Sequence, residues 1–157
     1  RGVKAEADAI LFTCSAFGPA IDKCQQGMRI PVLKPNEALF EKALKIGGEI
    51  GLLATHPPTL PVLKEQLERS AQNQGQPISV RPTLAEGAWD ALQSGRHDAH
   101  DVAVLAAAKG LADCDCIVLA QFSMAPLAES VGAVVDPPVL TGPHTAVAKM
   151  KKMISGA

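Results

Sequence analysis

The residue of this chain best placed to do chemistry is Cys14, in the segment TCSAFGPA (13–20). It follows a short apolar run, DAILFT (8–13), and precedes a helical pattern over 17–27. A thiol at that junction sits at the amino end of a helix. Exposed N–H groups and the helix dipole there lower a thiol pKa from about 8.5 toward neutrality, which suits a nucleophile or a proton carrier. Ser15 and Ala16 are small and leave backbone N–H groups open to an anion. The competing reading of Cys14 is a buried, inert thiol.

Two further segments repeat this placement at the end of an apolar run. In LLATHPPT (52–59), Thr55 and Thr59 offer hydroxyls beside a helix start, a natural seat for a carboxylate or phosphate. Thr59 reads equally as an ordinary helix cap. His56 is of the general-base type, although a loop histidine beside two prolines is commonly just exposed. In LAQFSMAP (119–126), Gln121 and Ser123 supply neutral hydrogen-bonding groups, and Phe122 and Met124 an apolar wall. No neighbouring His or Asp serves Ser123 as a base, and the G-x-S-x-G elbow is absent.

Other chemistries find little support. His97 and His100 in GRHDAHD (95–101) are three apart, but no HExxH or CxxC pattern supplies a third metal ligand. An acidic helix start is the simpler reading, and no metal is expected. Neither GxGxxG nor a Walker loop occurs, so a nucleotide cofactor is not expected either.

The elements that must position these residues are legible in the hydropathy pattern. Four apolar runs, DAILFT (8–13), IPVL (30–33), EIGLLA (49–54) and CIVLA (116–120), are too short for buried helices and do not alternate. Such runs predict strands buried on both faces of a parallel sheet. ISV (78–80) and PVL (138–140) are weaker strands. Helices are predicted over 17–27, 37–46 with Asn36 as cap, 60–74 with Thr59 as cap, 85–94, 97–112, 125–132 and 144–154. In the 97–112 segment, Val102, Leu105 and Ala106 stand at core spacing. Strand–helix alternation predicts an α/β fold with its ligand at the carboxyl edge of the sheet.

Composition narrows the classes further. The 157 residues are 47% hydrophobic but only 3% aromatic, with no Tyr, so the core is aliphatic and base stacking is an improbable trade. A net charge of −1, from 15 basic and 16 acidic side chains, gives no footprint for nucleic acid or an anionic membrane. The basic cluster Lys149, Lys151 and Lys152 reads as the solvated end of the last helix. No apolar run has the length of a membrane span, and no signal-peptide pattern opens the chain. Cys14, Cys24, Cys114 and Cys116 lack the spacing of a disulfide framework, which points to a reducing, cytoplasmic setting.

With those residues in view, the chain resembles the aspartate/glutamate/hydantoin racemase superfamily, which includes maleate isomerases and arylmalonate decarboxylases. The resemblance runs from ADAILFTCSAFG through IPVLKPNEA and IGLLATHPPT to CIVLAQFSMA and PVLTGPHTAV. It rests on the order and spacing of all five segments. It implies two similar Rossmann-like α/β lobes with parallel sheets facing a cleft, each ordinarily contributing one cysteine. Here residues 1–47, completed by a helix over 143–157, would form a partial first lobe, and 48–142 the second. Cys14 matches the first family cysteine. Ser15 stands where racemases often have Asn, and Thr55 with Thr59 matches their threonine-rich anion seat.

Two departures qualify what the resemblance implies. The second cysteine is expected where this chain has Gln121, and an amide cannot exchange a proton at neutral pH. Family members also open with further strand–helix units. With Arg1 rather than Met first, that points to a first lobe shortened at its amino end. The expected function is a cofactor-independent racemase- or isomerase-like enzyme acting at the α-carbon of a small carboxylic or amino acid. Cys14 would be catalytic, and Ser15, Thr55, Thr59, Gln121 and Ser123 would bind the substrate. The alternatives are a cofactor-free decarboxylase with one catalytic cysteine, or a relative that binds a small acid without turnover. A homodimer accords with the resemblance.

Overall fold

The computed structural model describes residues 7–13 and 18–155. Cys14 and Ser15 therefore lie outside the described residues. The chain is an α/β protein with two parallel sheets. The first sheet pairs β1 (Ile10–Leu11) with β2 (Val32–Leu33) around helix α1 (Gly18–Gly27). The second has four strands in the order β4-β3-β5-β6: β3 (Glu49–Ala54), β4 (Ser79–Leu84), β5 (Cys116–Leu119) and β6 (Val139–Thr141). Helices α2 (Glu37–Ile46), α3 (Thr59–Asn73), α4 (Ala88–Gln93), α5 (His97–Lys109), α6 (Ala128–Gly132) and α7 (Gly142–Ser155) complete it. A 3₁₀ turn (Phe122–Leu127) joins β5 to α6.

Of the four unbroken apolar runs, two become the central strands β3 and β5, for a reason plain from their two faces, while 8–13 and 30–33 give only the two-residue strands β1, half-buried, and β2. In β3, alternate residues Ile50, Leu52 and Ala54 join a cluster with Leu39, Phe40, Leu63, Leu67, Cys116 and Val118, under α2 and α3. Leu53 faces the other way, with Ile117, Leu119, Val104, Ala108, Leu111 and Met124 under α5. A strand clamped between helix layers has no polar face to show. Gly51 admits Leu111 to the sheet, because a Cβ there would stand 3.0–3.2 Å from the Leu111 side chain.

Helix α2 serves both sheets. Its Leu39, Phe40, Ala43 and Leu44 enter the core of the larger sheet, while Ala38 packs with Leu33 of β2 and Ala146 of α7. Lys149 of α7 reaches across to Glu37 (2.6 Å) and Glu41 (2.5 Å). Partial burial pulls the Lys149 pKa down, but these carboxylates outweigh it and the net shift is upward. Gln25 of α1 joins the network through Glu37 (3.3 Å) and the Val32 carbonyl (2.9 Å).

Several sequence expectations need correction. Lys149 is an interhelix link, not part of a solvated basic end. Helix α5 turns His100, Val104 and Ala108 inward and leaves Val102 66% exposed. Its alanine-rich sequence offers little contrast between faces, so Val102 marked the wrong stripe. Buried His100 bonds Asp101 through Nδ1 at 2.7 Å. Pro58, not Thr59, caps α3, and Asn36 caps α2 without a side-chain hydrogen bond. Strand β4 runs on to Leu84 through Pro82, which an edge strand tolerates.

Candidate functional site

The carboxyl edge of the larger sheet gathers the polar residues of the loops that follow each strand. Thr55 succeeds β3, Gln121 follows β5 by two residues, and Thr141 ends β6. Because β5 lies between β3 and β6, Gln121 stands between the two threonines. All three loops lead directly into helical segments.

Gln121 and Thr55 form a closed pair. The Thr55 backbone N–H donates to Gln121 Oε1 at 2.8 Å, and Gln121 Nε2 donates to Thr55 Oγ1 at 3.0 Å. The first bond fixes the amide orientation, since a backbone N–H only donates. Nε2 must then be the group facing Thr55 Oγ1, which accepts. The hydroxyl proton of Thr55, a residue only 2% exposed, is thereby left to donate elsewhere. Gln121 thus orders Thr55 as a donor, and most of its own amide is already engaged.

Thr59 opens α3 and couples to the residue beside Thr55. Its Oγ1 lies 3.3 Å from His56 Nδ1, and its N–H donates to the His56 carbonyl at 3.0 Å. The His56 ring rests against Trp89 of α4, with centroids 4.3 Å apart and planes at 47°. Gly87, at φ +73°, makes the turn that brings α4 and Trp89 to this edge. Sequence reasoning missed Trp89, although a lone tryptophan in so aromatic-poor a chain was a usable signal.

The segment after β5 divides differently from expectation. Ser123 is exposed in the 3₁₀ turn, while Met124 is fully buried in the core beneath α5 and is no part of a site wall. Phe122 is half-buried against α7, where Gly142 admits its ring: a Cβ at Gly142 would overlap it. Gly142→Ala is therefore expected to cost about 1–3 kcal/mol from overpacking. Comparing its chemical denaturation with that of Gly142→Ala/Phe122→Leu checks this, since relief by the second change identifies the clash.

A second threonine–histidine pair, also missed, occupies the far flank. Thr141, 2% exposed, holds His144 Nδ1 at 2.9 Å from its Oγ1. The segments THPPT (55–59) and TGPHT (141–145) both carry Thr at positions one and five with a His between. That internal similarity was available in the sequence. Elsewhere, exposed His97 and buried His100 do not form a ligand set, and among the described residues no three His, Cys, Asp or Glu side chains cluster for a metal ion. No described helix is long and apolar enough to cross a membrane.

The chain is an α/β protein with parallel strands and threonine-bearing loops at one edge of its larger sheet, and comparison with known proteins gives its family. The family model of Asp/Glu/hydantoin racemase matches residues 1–150, and the chain belongs to that family. Its fold is similar to that of allantoin racemase from Pseudomonas fluorescens, at TM-score 0.72 and 20% identity over 95% of this chain and 63% of that one. Glutamate racemase from Bacillus anthracis gives TM-score 0.72 and 14% identity over 96% of this chain and 59% of that one. An arylmalonate decarboxylase mutant gives 0.63 and 14%, over 98% and 70%. The chain thus spans less than two thirds of either racemase. Among curated proteins none matches by sequence.

Proposed function

We propose that the chain carries a cofactor-independent racemase- or isomerase-like site acting at the α-carbon of a small carboxylic or amino acid. The carrying observation is the Gln121–Thr55 pair, whose bonding order leaves a buried hydroxyl free to donate at the carboxyl edge. An enolate-like intermediate places negative charge on the substrate's carboxyl oxygens, and a preordered donor stabilises that charge more than it stabilises the ground state. In this reading the Cys14 thiolate takes the α-proton and becomes a thiol, while Thr55 Oγ1–H donates to the developing oxyanion. Water then protonates the carbon, and the hydroxide left behind takes the proton held by Cys14, so the thiolate is regenerated and the cycle is complete. Ser15, Thr59 and Ser123 complete the substrate-binding set, with residues 1–47 plus 143–157 on one side of the site and 48–142 on the other.

Gln121 also favours a second reading. An amide exchanges no proton at neutral pH, so a reaction needing one proton donor suits this site as well as a two-base racemisation. Decarboxylation is such a reaction, since carbon dioxide leaves and the carbanion takes one proton. The fold likeness to arylmalonate decarboxylase is compatible with it.

The test is incubation of the protein in D₂O with glutamate, aspartate, allantoin, 5-substituted hydantoins and an arylmalonate. Deuterium at the α-carbon with inversion supports the isomerase reading, and carbon dioxide release supports the lyase. Either activity should vanish in Cys14→Ala. Turnover surviving in that variant removes the thiol from the mechanism. Inertness of the wild type towards every compound would leave only small-acid binding.

A further inference from the structure

Helix α2 passes between the two sheets, and its first turn is placed by contacts at both of its ends. Gly47, just past its last residue, lies so close to Asp115, the residue before β5, that a Cβ there would overlap it. The helix therefore runs antiparallel to β5, and its first turn emerges at the opposite, carboxyl edge. There Leu39 and Phe40 share a cluster with Ala120, the residue before Gln121. In the smaller sheet, Leu11 of β1 is paired in register with Leu33 of β2, and the Phe12 N–H donates to the Leu33 carbonyl. Asn36 follows Leu33 by three positions, as Cys14, outside the described residues, follows Leu11. The carboxyl edges of both sheets thus meet at the start of α2.

Asn36 is the polar residue at this junction that neither reading uses. It is only 7% exposed, yet among the described residues its side-chain amide makes no hydrogen bond, not even to the helix that it opens. Buried amides are ordinarily paired, and an asparagine at a helix start ordinarily caps it. The adjacent carboxylate is already engaged: Glu37 holds Lys149 through one oxygen (2.6 Å) and Gln25 through the other (3.3 Å). The start of α2 therefore offers an unpaired amide beside helix N–H groups, with its neighbouring negative charge neutralised. Those are the features that receive an anionic oxygen.

We propose that Asn36 is a substrate-binding residue, its Nδ2 donating to a carboxylate oxygen of the acid from the smaller-sheet side, while the Thr55 hydroxyl approaches from the larger sheet. The amide is left unpaired by the fold because the acid is its partner. A buried polar group without a partner lowers the stability of the empty protein, which is the usual mark of a residue kept for binding.

This inference rests on the small-acid reading above, and one set of measurements separates the two. Glutamate, aspartate and phenylmalonate are titrated calorimetrically onto the wild-type chain, Asn36→Leu and Asn36→Asp, with thermal midpoints measured alongside. Leucine repeats the branched outline of asparagine without its polar atoms, so the midpoint should hold or rise. Affinity for the acid that binds best should fall about tenfold or more, the worth of a hydrogen bond to a charged group. Asn36→Asp keeps a side chain suited to a helix start, but its charge repels the acid, and affinity should fall further. A direct readout comes from protein isotopically labelled in its asparagine side chains, since the other asparagine, Asn73, lies exposed at the end of α3. The acid should shift the Asn36 amide resonances and leave those of Asn73 in place. Undiminished affinity in both variants, or an unmoved Asn36 signal, overturns the assignment of Asn36 and leaves the small-acid site standing. Binding lost together with a lowered midpoint in both variants makes Asn36 a structural residue and overturns it as well. If none of the three acids binds the wild type, the small-acid reading fails and this inference with it.

Discussion

Gln121→Leu is expected to lower turnover by about 10²–10³-fold, the loss typical of removing an ordered oxyanion donor. Leucine is close to glutamine in size, so packing is largely preserved while both hydrogen bonds to Thr55 are lost. The Thr55 hydroxyl, no longer obliged to accept from Nε2, is free to turn its proton away from the substrate. The buried Thr55 N–H also loses its acceptor, which costs about 1–3 kcal/mol of stability. Gln121→Glu separates the two effects. A carboxylate still accepts from the Thr55 N–H, restoring much of the stability, but it also accepts from the Thr55 hydroxyl and so captures the proton that the proposed mechanism offers to substrate. Turnover and unfolding free energy measured on both variants check this. Wild-type activity in Gln121→Glu would show that the Thr55 proton is not used.

The second large effect is alkaline. Cys116, fully buried in β5, has its pKa pushed up from an ordinary value near 9 to about 11, chiefly by burial and then by neighbouring Asp115. In the unfolded chain the same thiol ionises at its ordinary value. Stability tied to the neutral thiol is therefore complete below pH 9 and lost as the pH rises from 9 to 11. At about 1.4 kcal/mol per pKa unit, the loss reaches about 3 kcal/mol. Cys116→Ala removes this dependence at the cost of a small cavity, about 1 kcal/mol at neutral pH. Denaturation of both proteins between pH 7 and 11 should show the variant less stable at the start and more stable at the end. Parallel curves would mean that Cys116 does not ionise on unfolding.

The larger sheet was readable because β3 and β5 are apolar on both faces, which no surface helix of that length would be. Helix α5 was read only partly right: Leu105 packs against the core, but Val102 and Ala106 face out, since Val102 outranks His100 on any hydropathy scale and only tertiary packing reverses them. Thr55 and Gln121 were legible one at a time, each by its place after an apolar run. Their pairing was not, because contact between residues 66 apart depends on β3 and β5 being neighbours. Thr141 was hidden by the brevity of β6, whose three residues were read one position early. His144 was absorbed into the start of the following helix.

Helix α7 has a consequence for the order in which the molecule is made. Among the described residues, the buried members that join Leu33 and Ala38 include Ala146 of α7, and Glu37 and Glu41 find their cation at Lys149. As the chain leaves the ribosome, β1, β2 and the outer face of α2 emerge early but wait for more than a hundred residues before their last neighbour appears. The β3–β4–β5 core can assemble during that interval, with β1 and β2 incompletely covered beside it. A nascent chain stalled before residue 142 should therefore resist protease across 49–119 while remaining cleavable around β1 and β2. Synthesis of α7 would then be the event that seals the amino-terminal strands.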